Sequence, residues 1–300
     1  MEDDRCQVRE NLFVAQIFNL LYRQGRCGTR DPTAPRAWKI SLDLPRQKIQ
    51  AVSVLEIKNC AAVIPCLNES ASVAALVAAV RRQVPSVVVV DDGSTDDTAN
   101  LASNAGAAVI RHVRNLGKGA ALQTGLSHLL QLDCEWAVTL DGDGQHAPED
   151  LPALLRCAEK TGAPLVIGNR MNEARKMPWL RRRVNQWMSR QLSRRAERLL
   201  PDTQSGFRCL HLPTWAARSL KATRFEVESE MLMAFVAAKL RVEFVPIRVI
   251  RSGRGSRIRP VADTWRWFKW WQASRPFSAA RDPDVRPINW SDCKYIFRWR

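Results

Sequence analysis

The chain has 300 residues, with 46 Lys and Arg against 30 Asp and Glu, and a formal net charge of +16. That length buries one or two sizeable cores. The charge favours anionic partners: nucleic acid, an anionic bilayer surface or phosphorylated substrates. The excess is local, with ten Arg or Lys between Arg170 and Arg198 against Glu173 and Glu197. Eight cysteines are scattered without a C-x-x-C pair, which argues against a disulfide framework or zinc site and for reduced, structural thiols. The opening Met1-Glu2-Asp3-Asp4-Arg5 has the wrong charge for a secretory leader. No apolar run reaches the roughly 18–20 residues of a membrane span.

Residues 1–58 hold an amphipathic stretch at 11–22 and a Gly/Pro/Thr/Arg stretch from Gly25 to Arg36. They are read as an N-terminal extension in which order and disorder both stay open, and a start codon assigned too far upstream would also account for them. A regular unit is expected over 59–262. Strands are predicted at 61–65, 87–90, 108–111, 136–140 and 165–168, and helices at 73–82, 96–105, 119–132 and 149–161. Short apolar strands alternating with helices predict an α/β fold, a Rossmann-like, mostly parallel sheet with helices on both faces. Ligands then belong beyond the carboxyl ends of the strands, where Pro65, Asp91 and Asp141 all fall. Further on, a long basic helix is expected at 179–200, a strand at 205–210, a helix at 225–238 and a strand at 242–250. Residues 263–300 read as a basic, aromatic tail.

Four polar motifs sit at those strand ends. Ile64-Pro65-Cys66-Leu67-Asn68-Glu69-Ser70 follows the first strand, where a plain helix cap is the simpler explanation. Asp91-Asp92 ends the second, and adjacent carboxylates need a cation or donors nearby; the amide and hydroxyl donors of a base and ribose would serve one of them. Asn115-Leu116-Gly117-Lys118-Gly119 opens a helix. It fits a bound anion or a simple glycine turn equally well, and it is too short for a Walker loop. Asp141-Gly142-Asp143-Gly144-Gln145-His146 follows the fourth strand. Carboxylates two apart on an extended strand point the same way, so Asp141 and Asp143 would share one Mg²⁺ or Mn²⁺ with substrate phosphates and water. His146 is either a ligand or a hydrogen-bonding residue. This pattern suggests an enzyme acting on a nucleotide diphosphate.

Together with Gly168-Asn169-Arg170 and Ser205-Gly206-Phe207-Arg208, the motifs in this order resemble the family 2 glycosyltransferases of GT-A fold. Within them the chain looks like the dolichyl-phosphate mannose synthase and polyprenyl-phosphate glycosyltransferase branch, over about residues 60–265. The resemblance implies that Pro65, Leu67 and Glu69 line the nucleoside pocket and that Asp91 and Asp92 hold base or ribose. It implies that Lys118 contacts the nucleotide sugar and that Asp141 and Asp143, assisted by Gln145, carry the metal. Arg170 would meet a phosphate, and Glu230 would lie on a helix near the acceptor. Arg182, Arg183, Arg208 and Arg257 would hold the acceptor phosphate, with the arginine of the 181–183 run uncertain by a residue. Residues 252–258 resemble a basic loop closing over the diphosphate.

The implied reaction is an inverting transfer from a GDP- or UDP-linked sugar to a polyprenyl phosphate, whose phosphate oxygen needs no general base. A glycan or small-molecule hydroxyl as acceptor, in cell-envelope polysaccharide or glycolipid synthesis, is the alternative. It would require Glu228 or Glu230 to take the proton. Trp265-Arg266-Trp267-Phe268-Lys269-Trp270-Trp271 has the composition of a headgroup boundary. The expectation is a cytoplasmic protein, peripheral on the inner face of an anionic membrane, unless these tryptophans pack as core. Nucleic acid is not expected as a partner, because no recognition motif appears and the acidic strand ends would repel a polyanion.

Overall fold

The computed structural model describes residues 59–218, 220–250 and 260–274. The expectations for residues 1–58, for Arg257 and its loop, and for the chain after Ser274 lie outside the described residues. Seven strands form one sheet: β1 Cys60–Cys66, β2 Ser86–Asp91, β3 Ala108–Arg111, β4 Trp136–Thr139, β5 Leu165–Asn169, β6 Arg208–His211 and β7 Val242–Pro246. Their spatial order is β3-β2-β1-β4-β6-β5-β7. The strands pair in parallel except for β6, which runs antiparallel to both β4 and β5.

The buried strands explain the apolar runs. Val87 to Val90 are each at most 2% exposed, which stabilises the fold by about 1.5–3 kcal/mol per side chain. Alternate residues serve opposite faces. Ala62, Ile64, Val87, Val89, Val138 and Cys209 join a core with helices α1 Val73–Arg81 and α4 Leu151–Thr161, through Leu76, Val77, Val80, Leu151, Leu154 and Leu155. On the other face lies α3 Lys118–Gln131. Its Gly125 sits so close to Val63 and Val90 that a Cβ would meet a Val63 methyl at 2.5 Å and a Val90 methyl at 3.0 Å. Helix α2 Thr98–Asn104 packs beside α1.

The second half departs from expectation at its boundaries. The basic helix α5 is Trp179–Arg195 and stops short of Leu200. Glu197 adopts φ +49°, and the Ser193 hydroxyl accepts the Leu200 N–H at 2.9 Å, folding the chain back. A short helix α6, Leu212–Ala216, precedes α7 Val227–Ala237. Strand pairing of β7 ends at Pro246 rather than Ile250, since proline has no N–H to continue a ladder. Helix α8, Pro260–Ala273, crosses the expected 262/263 boundary. It belongs to the fold because Trp267, 2% exposed, packs edge-on against Trp187 of α5 and donates Nε1–H to Ser229 Oγ of α7 at 2.8 Å. Arg195 stacks on Trp271 at 4.6 Å, so α5 and α8 run side by side in one direction. Four of the five aromatic side chains at 267–271 and 265 are thus at least partly covered, and only Trp265, 46% exposed, stands in solvent. No described helix is long and apolar enough to cross a membrane.

Candidate active site

The Asp141–Gly144 segment lies past the end of β4 and forms a turn, so strand alternation does not set the directions of the two carboxylates. The turn rests on the first motif. Gly142 approaches Cys66 so closely that a Cβ would lie 2.6 Å from Sγ and 3.1 Å from the Pro65 carbonyl. The Ser72 hydroxyl donates to Gly142 O at 2.8 Å. Cys66, 2% exposed, marks where the motifs meet. Its thiol is pushed well above its ordinary value, first by burial and then by Glu69, Asp91, Asp141 and Asp143. Carboxylates from three motifs therefore surround one sulfur.

Asp141 sits at the centre. Its Oδ1 meets Lys118 Nζ at 2.5 Å, and the same ammonium reaches Glu228 Oε1 of α7 at 2.5 Å. Burial raises the Asp141 carboxyl, but Lys118 and His146 outweigh it and hold it below the usual carboxylate range. Burial likewise disfavours charge on Lys118, yet Asp141 and Glu228 hold it above its ordinary value. His146 accepts the Asp141 N–H at Nδ1, 3.3 Å away. Its ring proton then sits on Nε2, 4.0 Å from Asp141 Oδ2. Burial lowers its pKa against the pull of Asp141. Gly206 presses on the same carboxylate, where a Cβ would overlap Oδ1. Asp143 Oδ1 accepts the Gln145 N–H at 3.0 Å.

Among the described residues no three His, Cys, Asp or Glu side chains gather as a metal cage. The donor set that is present consists of two hard carboxylates. It fits a cation such as Mg²⁺ or Mn²⁺, which draws most of its ligands from phosphate and water. Gln145 does not fit as a third ligand. Its Oε1, the atom suited to a cation, accepts Arg181 Nη1 at 2.8 Å.

Several expected roles are corrected by the geometry. Asp91 is fully buried, taking the Ser94 N–H at 2.9 Å and facing Arg111 Nε at 3.1 Å. Asp92 holds His112 Nδ1 at 2.8 Å and the Leu116 and Gly117 N–H groups at 2.9 and 2.8 Å. Protein donors therefore occupy Asp92 and Oδ1 of Asp91, while Asp91 Oδ2 faces Arg111 without a hydrogen bond among the described residues. The N-terminus of α3 is not an anion cradle. Ala120 N–H donates to Thr223 O, and Gly117 and Gly119 are small because the 222–223 backbone lies against them. Glu230 accepts the Lys221 and Ala222 N–H groups at 3.0 and 2.7 Å, away from the site; Glu228 is the glutamate that enters. Arg208 is 1% exposed and donates to the carbonyls of Ser205, Glu228 and Thr203, so it has no reach to an acceptor. Burial pulls its pKa down to about 10. Arg170 forms a bidentate pair with the buried Asp202, both bonds 2.8 Å, which fixes it as a brace beside Asp141 and Glu228 rather than a mobile phosphate contact. Of the arginine run, Arg181 faces the aspartates. Arg182 and Arg183 follow at about 100° per residue around α5. Pro65 and Leu67 remain half-exposed at the rim, and Glu69 is 9% exposed beside Gly142.

Sequence reasoning missed Asp202, Thr203 and Asn185. Asp202 and Thr203 are fully buried and begin the run Asp202-Thr203-Gln204-Ser205-Gly206-Phe207-Arg208. Seven residues holding two opposite charges and three uncharged polar groups were the available signal.

A mostly parallel seven-stranded sheet with one reversed strand, carrying paired aspartates at its rim, defines a nucleotide-sugar transferase architecture. Residues 61–212 match the model of glycosyl transferase family 2; the chain belongs to that family and is a glycosyltransferase. It is 29% identical over 211 residues to the UDP-N-acetylglucosamine–dolichyl-phosphate N-acetylglucosaminyltransferase of Methanococcus voltae, covering 63% of this chain and 84% of that one. It is 36% identical over 130 residues to the polyprenol monophosphomannose synthase of Mycolicibacterium smegmatis, covering 40% and 49%. In fold it is similar to the glucosyl-3-phosphoglycerate synthase of Mycobacterium tuberculosis, solved with Mn²⁺, UDP-glucose and phosphoglyceric acid. The TM-score is 0.56 at 23% identity, covering 70% of this chain and 76% of that one.

Proposed function

We propose that this glycosyltransferase moves a sugar from a GDP- or UDP-linked donor to a polyprenyl phosphate, by direct displacement with inversion, with Mg²⁺ or Mn²⁺ held by Asp141 and Asp143. One observation carries the acceptor assignment. Arg181 Nε and Asn185 Nδ2 are buried and have no hydrogen-bond partner among the described residues. They lie four residues apart and so share one face of α5, beside Gln145, whose Oε1 Arg181 already holds. An unsatisfied buried donor costs about 1–3 kcal/mol, so two together favour a ligand that accepts from both. A phosphate monoester does so and also matches the guanidinium's charge and forked shape. The two relatives named for dolichyl phosphate and polyprenol support the same reading.

In this reading the bound ion supplies electrostatic stabilisation to the departing nucleoside diphosphate. The protein's own groups do the rest. Arg181 and Asn185 orient the attacking phosphate, and Arg170, braced by Asp202, adds positive charge that lets two anionic substrates approach. Glu228 Oε2 has no donor among the described residues, so a sugar hydroxyl would satisfy it. The same oxygen favours the second reading, a hydroxyl acceptor deprotonated by Glu228. Exposed Trp179 and Trp265, 56% and 46%, on neighbouring helices α5 and α8, support attachment to the surface of an anionic membrane.

The test is a radiolabelled donor panel with undecaprenyl phosphate and Mn²⁺, followed by partition into organic solvent. Label should enter the organic phase, and Asp143→Asn and Arg181→Met should each prevent this while leaving the fold intact. Transfer to a soluble hydroxyl compound with no organic-phase product would overturn the acceptor assignment.

A further inference from the structure

Lys118 occupies an unusual position for a lysine beside a cation-binding carboxylate. Its Nζ lies 2.5 Å from both Asp141 Oδ1 and Glu228 Oε1, and its side chain is 16% exposed. Neither oxygen has another donor among the described residues. The surroundings are rigid. Gly206 lies against the same carboxylate, so closely that a Cβ there would overlap Oδ1. The backbone of Lys118 is pinned by the Gly117 N–H on Asp92 and the Ala120 N–H on Thr223 O. Only the lysine's flexible four-carbon stem is free to adapt. The Phe225 ring lies under Nζ, 5.7 Å away.

A divalent ion on Asp141 and an ammonium on the same carboxylate repel each other. The conflict is relieved when a diphosphate arrives, because its oxygens offer the ammonium a second anionic partner. We propose that Lys118 and the divalent ion exchange at Asp141, with the donor's diphosphate drawing the lysine off, so that metal and nucleotide bind tightly only together. Such coupling is reciprocal: each ligand tightens the other by the same factor. The inference rests on the reading of Asp141 as a metal ligand, and the experiment separates the two.

Free Mn²⁺ is titrated by electron paramagnetic resonance against wild type and Lys118→Met, alone and with UDP or GDP. Wild type should bind Mn²⁺ weakly alone and at least about tenfold more tightly with nucleotide, a coupling of ordinary size. Lys118→Met should bind Mn²⁺ alone more tightly than wild type and gain less from nucleotide. If the nucleotide gain is the same in both proteins, the exchange is refuted while the metal site stands. If neither protein binds Mn²⁺ even with nucleotide, the metal reading fails and the exchange with it. Because Lys118→Met leaves two carboxylates unpaired and threatens the fold, wild type supplies an independent check. Its crystal structure with Mn²⁺ and nucleotide should show Nζ away from Asp141, and contact retained alongside bound Mn²⁺ would overturn the proposal.

Discussion

Replacing Asp202 by Asn tests how this site is held together. The carboxylate is fully buried and takes three bonds from Arg170: Nε and Nη2 at 2.8 Å and the backbone N–H at 3.0 Å. An asparagine keeps the shape, removes the charge and turns an amide NH₂ towards the guanidinium. Removing one partner of a buried pair costs about 3–5 kcal/mol, because the remaining charge is stranded. Against a total stability of about 5–15 kcal/mol, that is a large fraction. Urea denaturation followed by circular dichroism measures it; with a slope of about 2–3 kcal/mol per M, the midpoint should fall by roughly 1–2 M. The pH dependence has a definite sign. Burial raises the Asp202 carboxyl, but Arg170 outweighs it and the folded pKa lies below the ordinary value. The pair therefore stabilises fully above the unfolded carboxylate pKa of about 3.9 and loses that contribution as pH falls towards the depressed folded value. The Asp202→Asn protein should lack this part of the acid transition. A variant within about 1 kcal/mol of wild type at pH 7 would refute the claim that Arg170 depends on Asp202, since a stranded buried charge cannot be that cheap.

Other substitutions separate neighbouring roles. Gly206→Ala places a methyl on Asp141 Oδ1; a displacement of this kind should lower turnover by about a hundredfold with an unchanged far-ultraviolet spectrum. Glu228→Gln should lower turnover sharply in the donor assay. Glu230→Gln should instead cost about 1 kcal/mol of stability through its two backbone bonds and leave turnover near wild type. Trp265→Ala should reduce sedimentation with anionic liposomes at low salt, whereas Trp267→Phe, which loses its bond to Ser229, should lower the melting temperature.

The alternation of strands and helices was legible because burial on both faces forces continuous apolar runs such as Val87–Val90. The direction of β6 was not, since its four residues, Arg-Cys-Leu-His, run polar, apolar, apolar, polar and read the same either way. Phase around a helix was the second limit. Arg181 differs from Arg182, and Glu228 from Glu230, only in which way the helix turns them, and that depends on packing with α3 and the aspartate turn. Asp92 was assigned to a ligand because its partners His112, Leu116 and Gly117 lie 20 to 25 positions further along the chain. Local reading saw two crowded carboxylates without their distant donors. The tryptophans at 267–271 have the composition of a membrane edge and the spacing of a helix, and only the neighbouring α5 and α7 decide which of them face inward.

The reversed strand has a mechanical consequence. Because β6 starts where β4 ends, the peptide entering it crosses the rim and is stitched to both neighbours. The Thr139 hydroxyl holds Gly206 O at 2.7 Å, and the Gly168 N–H holds Phe207 O at 2.8 Å. Asp141 thus leans on a fixed anvil. Shape change during turnover should therefore spare this strand and fall on the side chains that meet Asp141, the Lys118 ammonium first among them.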